Sequence, residues 1–274
     1  MRKNVLYLLV FLSVLQVKSQ ITNVLPSSVS IANTSASDTK NWQAFSNPSN
    51  LGYKEDIEIG SQFENKFIIP ELSTKSFQVV LPTKLLNTGL SFSHFGYSQY
   101  HEMMFGVGFA RNFSDKFAMG LQFNYYTAYS VATDSYSGAF LPQLGLSIKL
   151  SPTFNLGFQS FNPFQSNIKT DFITKRLPSI FSLGTECFFT PELVWRTQMD
   201  KELNSNYRFA TGFEYQMLQK ICLKMGTYAT DYLVPCLGLG FDIGHLGVDL
   251  NCELHPLLGL NTLAAVRYRF ASSK

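Results

Sequence analysis

Apolar and polar side chains alternate along most of the chain after residue 53. The seven clearest apolar rows are Phe117, Met119, Leu121, Phe123 and Tyr125; Leu144, Leu146, Ile148 and Leu150; Phe154, Leu156 and Phe158; Leu193, Trp195, Thr197 and Met199; Phe209, Thr211, Phe213 and Tyr215; Leu246, Val248, Leu250, Cys252 and Leu254; and Thr262, Ala264, Val266, Tyr268 and Phe270. The positions between them carry Gly, Ser, Asn, Gln and the charged residues. Because residues two apart on a strand share a face, this period of two predicts strands with one apolar and one polar face.

A soluble β-sandwich also alternates, with its apolar face turned to a protein core, so the surroundings of the apolar face need a separate argument. The apolar rows are rich in Phe, Tyr, Leu and Trp, with Tyr or Trp often near strand ends. The polar rows contain Gly, Ser, Asn and Gln more often than Lys and Glu. An aromatic girdle and a polar lumen are typical of membrane barrels. We therefore predict an all-β fold, a transmembrane antiparallel up-and-down β-barrel of about fourteen strands with roughly ten residues each.

The connections between the predicted strands alternate in length. With a periplasmic N-terminus, the periplasmic turns are Pro82 to Asn87, Ser114 to Lys116, Ser151 to Thr153, Thr190-Pro191, Leu218 to Lys220 and Gly244-His245. The outer connections are Glu64 to Ser73, Ser93 to Glu102, Ala128 to Ser137, Asn162 to Leu177, Asp200 to Asn206, Thr230 to Pro235 and His255 to Leu260. Short periplasmic turns and longer outer loops are the arrangement of bacterial barrels, which places this chain in the outer membrane.

Residues 1–19 have the organisation of a cleaved signal peptide. Arg2 and Lys3 precede an apolar core, and Val17-Lys18-Ser19 resembles a cleavage site, so the mature chain is expected to begin at Gln20. An uncleaved anchor helix is disfavoured, because the apolar run is shorter than the roughly 20 residues that span a bilayer. Removing Arg2, Lys3 and Lys18 takes the formal net charge from +3 to zero. A neutral chain without a basic stripe is a poor candidate for binding nucleic acid.

Residues 20–53 do not follow the alternating pattern. Asp38 could act as an N-cap for one or two helical turns that end before Asn47-Pro48. We place this segment inside or beneath the barrel as a plug, and a periplasmic tail without fixed structure is the alternative. The barrel itself is expected over residues 54–270, followed by a short tail, 271–274.

Several short motifs resemble one family of outer-membrane barrels. An aromatic residue, two further residues, Asn-Pro, a small residue, any residue and Leu form the N-terminal signature of the PorV-like branch of FadL-type barrels. The stretch of this chain that resembles it contains Trp42, Phe45, Asn47, Pro48 and Leu51, with one residue between Phe45 and Asn47. Weaker matches follow in order along the chain: Leu156-Gly157, Asn162-Pro163-Phe164, Leu177-Pro178, Leu183-Gly184, Arg208, Gly212, Glu214, Tyr215, Leu223-Lys224-Met225-Gly226 and Gly238-Leu239-Gly240-Phe241.

The resemblance implies a barrel of about fourteen strands with an N-terminal plug. The family includes channels for hydrophobic solutes and accessory subunits of type IX protein secretion. One architecture hosts many roles, so the resemblance predicts the fold more directly than the function.

Charged residues on the predicted lumen face form a mixed set in the C-terminal half. The set is Glu186, Arg196, Arg208, Glu214, Lys224, Asp242, Asp249, Glu253, Arg267 and Arg269. Opposite charges on neighbouring strands and on the plug can pair and stabilise a filled barrel. A selectivity ring would show one dominant sign. The alternative for any single member is a solvated charge with no partner.

Two predicted outer loops carry apolar residues where water is expected. They are Phe67, Ile68, Ile69 and Leu72 in the first loop and Tyr232, Leu233 and Val234 in a later one. Such patches mark a binding surface for a ligand or partner. Packing of the two loops on each other over the barrel mouth is the alternative.

No enzyme chemistry is indicated by the remaining residues. His101 lies beside Glu102 and near Ser93 and Ser98, but adjacent residues on a strand point to opposite faces, and a base needs an orienting partner as well as a nucleophile. No metal cluster, phosphate loop or dinucleotide motif is present, so we expect neither a cofactor nor catalysis. Among the cysteines, Cys187 and Cys252 fall on lipid-facing rows, and a Cys222 to Cys236 bridge across one hairpin is possible in an oxidising compartment.

We consider three functions. The first is an accessory subunit of a larger outer-membrane secretion or assembly complex, contacting other outer-membrane proteins and lipid. The second is a FadL-like channel that binds a lipid or hydrophobic solute. The third, a lipid-modifying enzyme, is the least favoured. Short loops and paired lumen charges favour the first, whereas a continuous apolar path from loop to plug would favour the second.

Overall fold

The structure, a computed structural model, describes residues 24–41, 43–131, 134–169, 174–203, 205–218 and 220–270. The predicted leader 1–19, Trp42 and the tail 271–274 lie outside these residues. The strands are β1 (Ile57–Asn65), β2 (Ser73–Leu81), β3 (Asn87–Tyr97), β4 (Tyr100–Ser114), β5 (Phe117–Ser130), β6 (Ser135–Ser151), β7 (Phe154–Phe161), β8 (Asn167–Lys169), β9 (Thr174–Arg176), β10 (Ile180–Phe188), β11 (Leu193–Glu202), β12 (Tyr207–Met217), β13 (Ile221–Ala229), β14 (Leu233–Ile243), β15 (Leu246–His255) and β16 (Gly259–Phe270). Short 3-10 helices lie at Ile31–Asn33, Pro48–Tyr53 and Pro70–Leu72.

Fourteen of the described strands close into one antiparallel barrel. Each strand pairs with its neighbours along the chain, except that β7 pairs with β10, because β8 and β9 form a separate hairpin in the connection between them. The barrel closes where β1 pairs with β16, from Ile57 opposite Phe270 to Asn65 opposite Thr262. This confirms the predicted fold class and strand number.

The apolar rows lie on the outside of the barrel. Along β5, the odd-numbered residues from Met119 to Tyr125 are exposed, while Gln122 and Asn124 between them are buried in the interior. Cross-strand register also joins aromatic side chains into a continuous outer row, which consists of Phe77, Phe92, Phe105, Tyr125 and Phe140. Such a row is typical of the aromatic girdle at a membrane interface. Among the described residues, no helix is long and apolar enough to cross a membrane.

The two ends of the barrel differ in their connections. At the turn end lie the start of β1, the end of β16 and the turns that follow β2, β4, β6, β10, β12 and β14. At the loop end lie the other connections. Several of these are shorter than predicted, because the strands continue further: β3 and β4 are joined by only Ser98 and Gln99, and β5 runs on to Ser130. The predicted outer loops Ser93 to Glu102 and Ala128 to Ser137 are therefore wrong.

Residues 24–41 and 43–53, which we call the plug, lie inside the barrel. Their side chains contact the lumen face on opposite sides, since Ser27 bonds to Glu64 on β1 and Ser49 bonds to Ser147 on β6. The predicted helix that begins at Asp38 is not formed. Instead the Asp38 carboxylate accepts the backbone N–H groups of Lys40 and Asn41, and the 3-10 helix starts ten residues later at Pro48.

The cysteines of the described chain are free thiols. Cys222 lies opposite Gly240, whereas Cys236 lies opposite Gly226, so the register separates the two along the hairpin. A Cys222 to Cys236 bridge is therefore not formed.

The lipid-facing assignment predicts a depth-dependent cost for a new charge. Phe123, in the middle of β5, and Phe113, near the turn end of β4, are 51% and 59% exposed. We expect Phe123→Lys to lower the free energy of unfolding by about 2–4 kcal/mol, because the ammonium would lie in hydrocarbon, and Phe113→Lys to lower it by about 0–1 kcal/mol. Urea unfolding of the protein in phospholipid vesicles measures both values. Equal costs at the two positions would contradict a membrane-facing surface.

Candidate functional site

The plug is held by side chains of the barrel wall that bond to its backbone. Gln198 accepts the N–H of Ala36 at 2.9 Å, and Gln78 accepts the N–H of Ala44 at 2.6 Å. Gln143 donates to the carbonyl of Ser46 at 2.7 Å, and Ser93 donates to the carbonyl of Val24 at 2.6 Å. The plug contains little regular structure, so these lumen-facing groups supply the partners that its buried backbone requires.

The Asn-Pro motif forms the joint between plug and wall. The side chain of Asn47 accepts the N–H of Ser49 and thereby caps the 3-10 helix that Pro48 begins. Its amide also donates to the carbonyls of Ala36 at 2.6 Å and Leu146 at 3.2 Å. Leu51 is fully buried beside Val80 and Ala110. Asn47, Pro48 and Leu51 therefore fix the turn that leads from the plug into β1.

Glycines on the wall allow this close approach. A Cβ at Gly145 would overlap Asn47 and Pro48, and a Cβ at Gly120 would overlap the backbone of Pro48. On the opposite side, a Cβ at Gly212 would overlap Ile31 of the plug. The lumen face is thus shaped to the plug by the absence of side chains at these positions.

An ion cluster around Arg196 ties the plug to β10, β11 and β12. The Arg196 guanidinium is 1% exposed. Its Nη2 lies 2.8 Å from Glu186 Oε1 and 3.4 Å from Asp38 Oδ1 of the plug, and its Nη1 lies 2.7 Å from Glu214 Oε2. Glu186 and Glu214 accept further bonds from Thr39 and from the Ile31 N–H. One buried cation therefore holds three carboxylates, one of them on the plug.

The other charged residues predicted to face the lumen form separate ion pairs and hydrogen bonds outside the Arg196 cluster. Lys224 Nζ lies 2.7 Å from Asp249 and also donates to the carbonyl of plug residue Val29. Arg208 pairs with Asp200 at 2.6 Å and donates to the Ala32 carbonyl. The remaining contacts are those of Arg267 with Asp242, Asp249 and Asn41, of Arg269 with Glu58, and of Glu253 with the Tyr228 hydroxyl.

Several charged residues of the interior network were missed by the sequence analysis. Asp38, Glu58, Glu64, Glu102 and Asp200 all lie in the interior network. The predictions placed Glu64, Glu102 and Asp200 in outer loops, but each belongs to a strand. Glu58, Gly60, Gln62 and Glu64 alternate with Ile57, Ile59, Ser61 and Phe63, and this pattern is a signal that could have located Glu58 and Glu64.

On the other side of the lumen, the loop end is mainly apolar. A buried cluster joins Val24 and Phe45 of the plug to wall residues of β3 to β7 and of the β7–β10 connection. Its members are Val24, Ala44, Phe45, Phe95, Met104, Tyr126, Ala139, Leu141, Phe161, Ile168 and Leu177, with Leu25, Leu72, Tyr100, Ala128 and Ile180 packed against them. We call this set the apolar cluster. It occupies the loop end of the barrel, because Phe95, Tyr100 and Leu72 all lie near that rim.

A carboxylate lies within the apolar cluster. Glu102 is 1% exposed, and the hydroxyl of Tyr100 donates to its Oε1 at 2.5 Å. Tyr126, which is fully buried, lies in the same cluster. The Tyr100 phenol therefore stabilises a carboxylate on the aromatic wall.

The predicted loop contacts fall into two groups. Ile68 and Ile69 after β1 and Leu233 at the start of β14 are exposed, whereas Val234 is 1% exposed and faces the interior. The prediction that Val234 is a loop contact is wrong, because β14 already begins at Leu233 and alternation turns the next side chain inward. Leu72 is likewise partly buried and packs on the apolar cluster.

The two predicted apolar loops meet through one histidine. Phe67 and Tyr232 both stand edge-on to the ring of His255, with ring centroids 6.4 Å and 5.7 Å away. Phe67 and Ile68 have positive φ angles of 59° and 58°. A β-branched residue is strained in this region, and such strain is a common property of binding loops.

The residues considered for catalysis do not converge. His101 lies on the outer face, while Ser93 faces the lumen and donates to the Val24 carbonyl. In the described ranges, no group of three or more His, Cys, Asp or Glu side chains could hold a metal ion.

Among the described residues, the plug fills much of the lumen. Two hollows between plug and wall have cavity volumes of about 30 Å³ and 10 Å³. The larger lies between Val29 and Ala44 of the plug and strands β1, β2 and β16. Spaces of this size hold a few water molecules at most, so passage of a solute would require the plug to move.

The Arg196 cluster generates a stability prediction. Arg196→Met would leave three buried carboxylates without their cation, so we expect the free energy of unfolding to fall by about 3–5 kcal/mol. The plug should also become accessible to protease. Arg111→Met, at an exposed position on β4, is the matched control and should change neither property. Urea unfolding in vesicles and limited proteolysis measure the two effects; a wild-type digestion pattern for Arg196→Met would contradict a holding role.

No family model and no curated protein match the chain. Several solved structures are similar to it. A deletion mutant of TodX, described as a monoaromatic hydrocarbon channel, has a TM-score of 0.67 and 11% identity, covering 92% of this chain and 100% of its own. TodX of Pseudomonas putida, described as a toluene transporter, has a TM-score of 0.63 and 10% identity, covering 89% and 96%. A Pseudomonas aeruginosa FadL homologue has a TM-score of 0.60 and 10% identity, covering 90% and 99%.

None of these neighbours is described as a secretion subunit, so the narrower resemblance to the PorV-like branch stays a prediction. At such low identity the likeness concerns the fold. The chain has the fold of the outer-membrane β-barrels to which hydrocarbon channels belong.

Proposed function

We propose that this protein is an integral outer-membrane barrel that binds a small, neutral hydrophobic solute at its loop end and passes it along the apolar cluster and past the plug. In this proposal the turn end and the N-terminus face the periplasm, because short turns lie on that side of bacterial barrels.

The observation that carries the proposal is the continuity of apolar side chains from the rim to the plug. Ile68 and Ile69 are exposed at the loop end, and Leu72 in the same connection packs on the apolar cluster. The cluster reaches Phe45 of the plug through residues such as Phe95 and Met104. Apolar linings with a few placed polar groups are typical of small-molecule sites.

Related structures support the same class of solute. A TodX deletion mutant and CymD are described as monoaromatic hydrocarbon channels, and both share the fold of this chain with TM-scores of 0.67 and 0.59. We therefore favour the channel over the accessory subunit of a secretion complex.

Glu102 narrows the proposal to neutral solutes. Its carboxylate lies on the apolar wall, where it accepts a hydrogen bond from Tyr100. A like charge brought into a buried site is strongly disfavoured, so a fatty-acid anion would be rejected, whereas an uncharged aromatic molecule would meet ring faces and methyl groups. We therefore predict a higher initial rate of uptake for toluene than for decanoate.

Uptake by intact cells tests the route. The full-length protein would be expressed in a Gram-negative host without hydrocarbon channels of its own, and the initial rate of entry of radiolabelled toluene measured. Leu72→Glu would place an unpaired charge in the apolar path, which costs more than ~1.4 kcal/mol and corresponds to at least a tenfold lower rate. Leu218→Glu, an exposed position at the turn end, is the matched control and should leave the rate unchanged. Unchanged entry in Leu72→Glu would exclude this route.

Movement of the plug is tested by a reversible lock. A Cβ built at Gly184 on β10 lies 3.1 Å from the Cβ of Ala36 in the plug, so a shift of a few tenths of an ångström brings the two to the separation of bonded cysteines, about 3.5–4.5 Å. In a background with the native cysteines replaced by alanine, Ala36→Cys with Gly184→Cys should stop toluene entry when oxidised and restore it on reduction. Entry that continues after mass spectrometry has verified the bridge would contradict plug movement.

A second candidate is favoured by one feature of the outer surface. A hollow of about 900 Å³ lies on the lipid-facing side of β11 to β16 and β1, lined by apolar residues such as Phe213, Met225 and Leu237. A membrane partner could pack there, as an accessory subunit requires. Purification of the protein from native membranes in mild detergent distinguishes the two functions. A stoichiometric complex that Met225→Trp disrupts would support the accessory subunit. Recovery of the protein without a partner would contradict it.

A further inference from the structure

A basic and aromatic group lies on the outer face of the barrel, apart from the lumen. Lys75 on β2 is directly opposite His94 on β3, and His101 on β4 follows within ring contact. Each lies nearer the loop end than the aromatic row: Lys75 is two residues beyond Phe77, and His94 is two residues beyond Phe92. The group therefore stands where the aromatic girdle gives way to lipid headgroups.

The side chains of this group support one another. The rings of His94 and His101 stack with centroids 5.7 Å apart and an interplanar angle of 19°. His101 also stacks on Tyr129 at 5.0 Å, and its Nε2 lies 3.4 Å from the Tyr136 hydroxyl. Tyr129 in turn donates to Asp134. Packing of this kind orients the imidazole N–H groups before any ligand arrives.

The charge of the group favours an anion over a metal ion. In the described part of the chain no carboxylate forms a salt bridge with Lys75, which is exposed. An ammonium beside two imidazoles repels a cation and attracts an anion. The near-parallel stacking of the two histidine rings also prevents their in-plane nitrogens from converging on one metal ion.

We propose that Lys75, His94 and His101 bind a phosphate group of a lipid headgroup in the leaflet at the loop end. In the orientation given above this is the outer leaflet, and the ligand is a phosphorylated glycolipid of the lipid A type. The Lys75 ammonium supplies the charge, the imidazole N–H groups supply donors, and Phe77 and Phe92 contact the acyl chains below. Basic residues at a membrane surface attract anionic headgroups in this way. The site is independent of solute transport.

Native mass spectrometry of the full-length protein in mild detergent tests the proposal. The probes are diphosphoryl lipid A, the same lipid with both phosphates removed, and inorganic phosphate. We expect diphosphoryl lipid A to bind and the dephosphorylated lipid to bind at least tenfold more weakly, since the phosphate is the recognised group. Lys75→Gln should weaken lipid A binding about fivefold, and Lys75→Gln with His94→Gln and His101→Gln should weaken it further.

Two matched variants make the result decisive. Lys84→Gln removes an exposed lysine at the turn end and should leave the affinity unchanged, while Lys75→Arg keeps the charge and should retain binding. The temperature dependence of gel mobility verifies that each variant is folded. Wild-type affinity in the triple variant, or an equal loss in Lys84→Gln, overturns the proposal. Displacement of lipid A by equimolar inorganic phosphate also overturns it, because the site would then recognise free anion. Toluene entry in the same variants is expected to stay normal, which separates this proposal from the transport route.

Discussion

The structure depends on one constraint: backbone N–H and C=O groups at the depth of hydrocarbon must find partners within the protein. The wall meets it by closing on itself, with β1 paired to both β2 and β16. The plug cannot join that ladder, and it meets the constraint through lumen-facing side chains. Gln78, Gln143 and Gln198 each bond to its backbone from a different part of the wall. Polar side chains in the lumen therefore provide the plug backbone with the hydrogen-bond partners that neighbouring strands provide in the wall.

The same constraint explains why the two sides of the lumen differ. Around Arg196, charged side chains bind the plug through strong, directional contacts that are costly to break, because each partner would be left buried and unpaired. On the side of Phe45 and Phe95, Gln143 and Ser93 also bond to the plug backbone, but the side chains of the apolar cluster make non-directional contacts, so one apolar group can replace another there at small cost. A hydrophobic solute could thus compete with the plug on one side while the ion cluster retains it on the other. This difference between the two sides of the lumen gives the proposed channel a physical basis.

Much of the fold could be predicted from the sequence, and less of the site. The alternating rows located the strands, because period two has one structural meaning when it recurs through a whole chain. Strand ends were less well predicted: Glu64 and Glu102 were assigned to loops, and Val234 to a loop surface, since alternation continues past the membrane without a compositional boundary. The helix predicted to begin at Asp38 does not form, for a different reason. Its carboxylate caps only a local turn, because wall side chains satisfy the following backbone groups in place of helical bonds.

The sequence by itself determined which side chains face lipid and which face the interior, because each strand has only two faces and hydrocarbon accepts only one of them. It also carried the Asn-Pro turn, whose geometry is local to Asn47, Pro48 and Ser49. Only the tertiary structure decided which interior groups meet. Asp38 and Arg196 are 158 residues apart, and their contact depends on barrel closure and on the exact path of the plug. Pairings over such distances leave no local pattern, since any of several carboxylates could satisfy the same guanidinium until the fold brings three of them within reach.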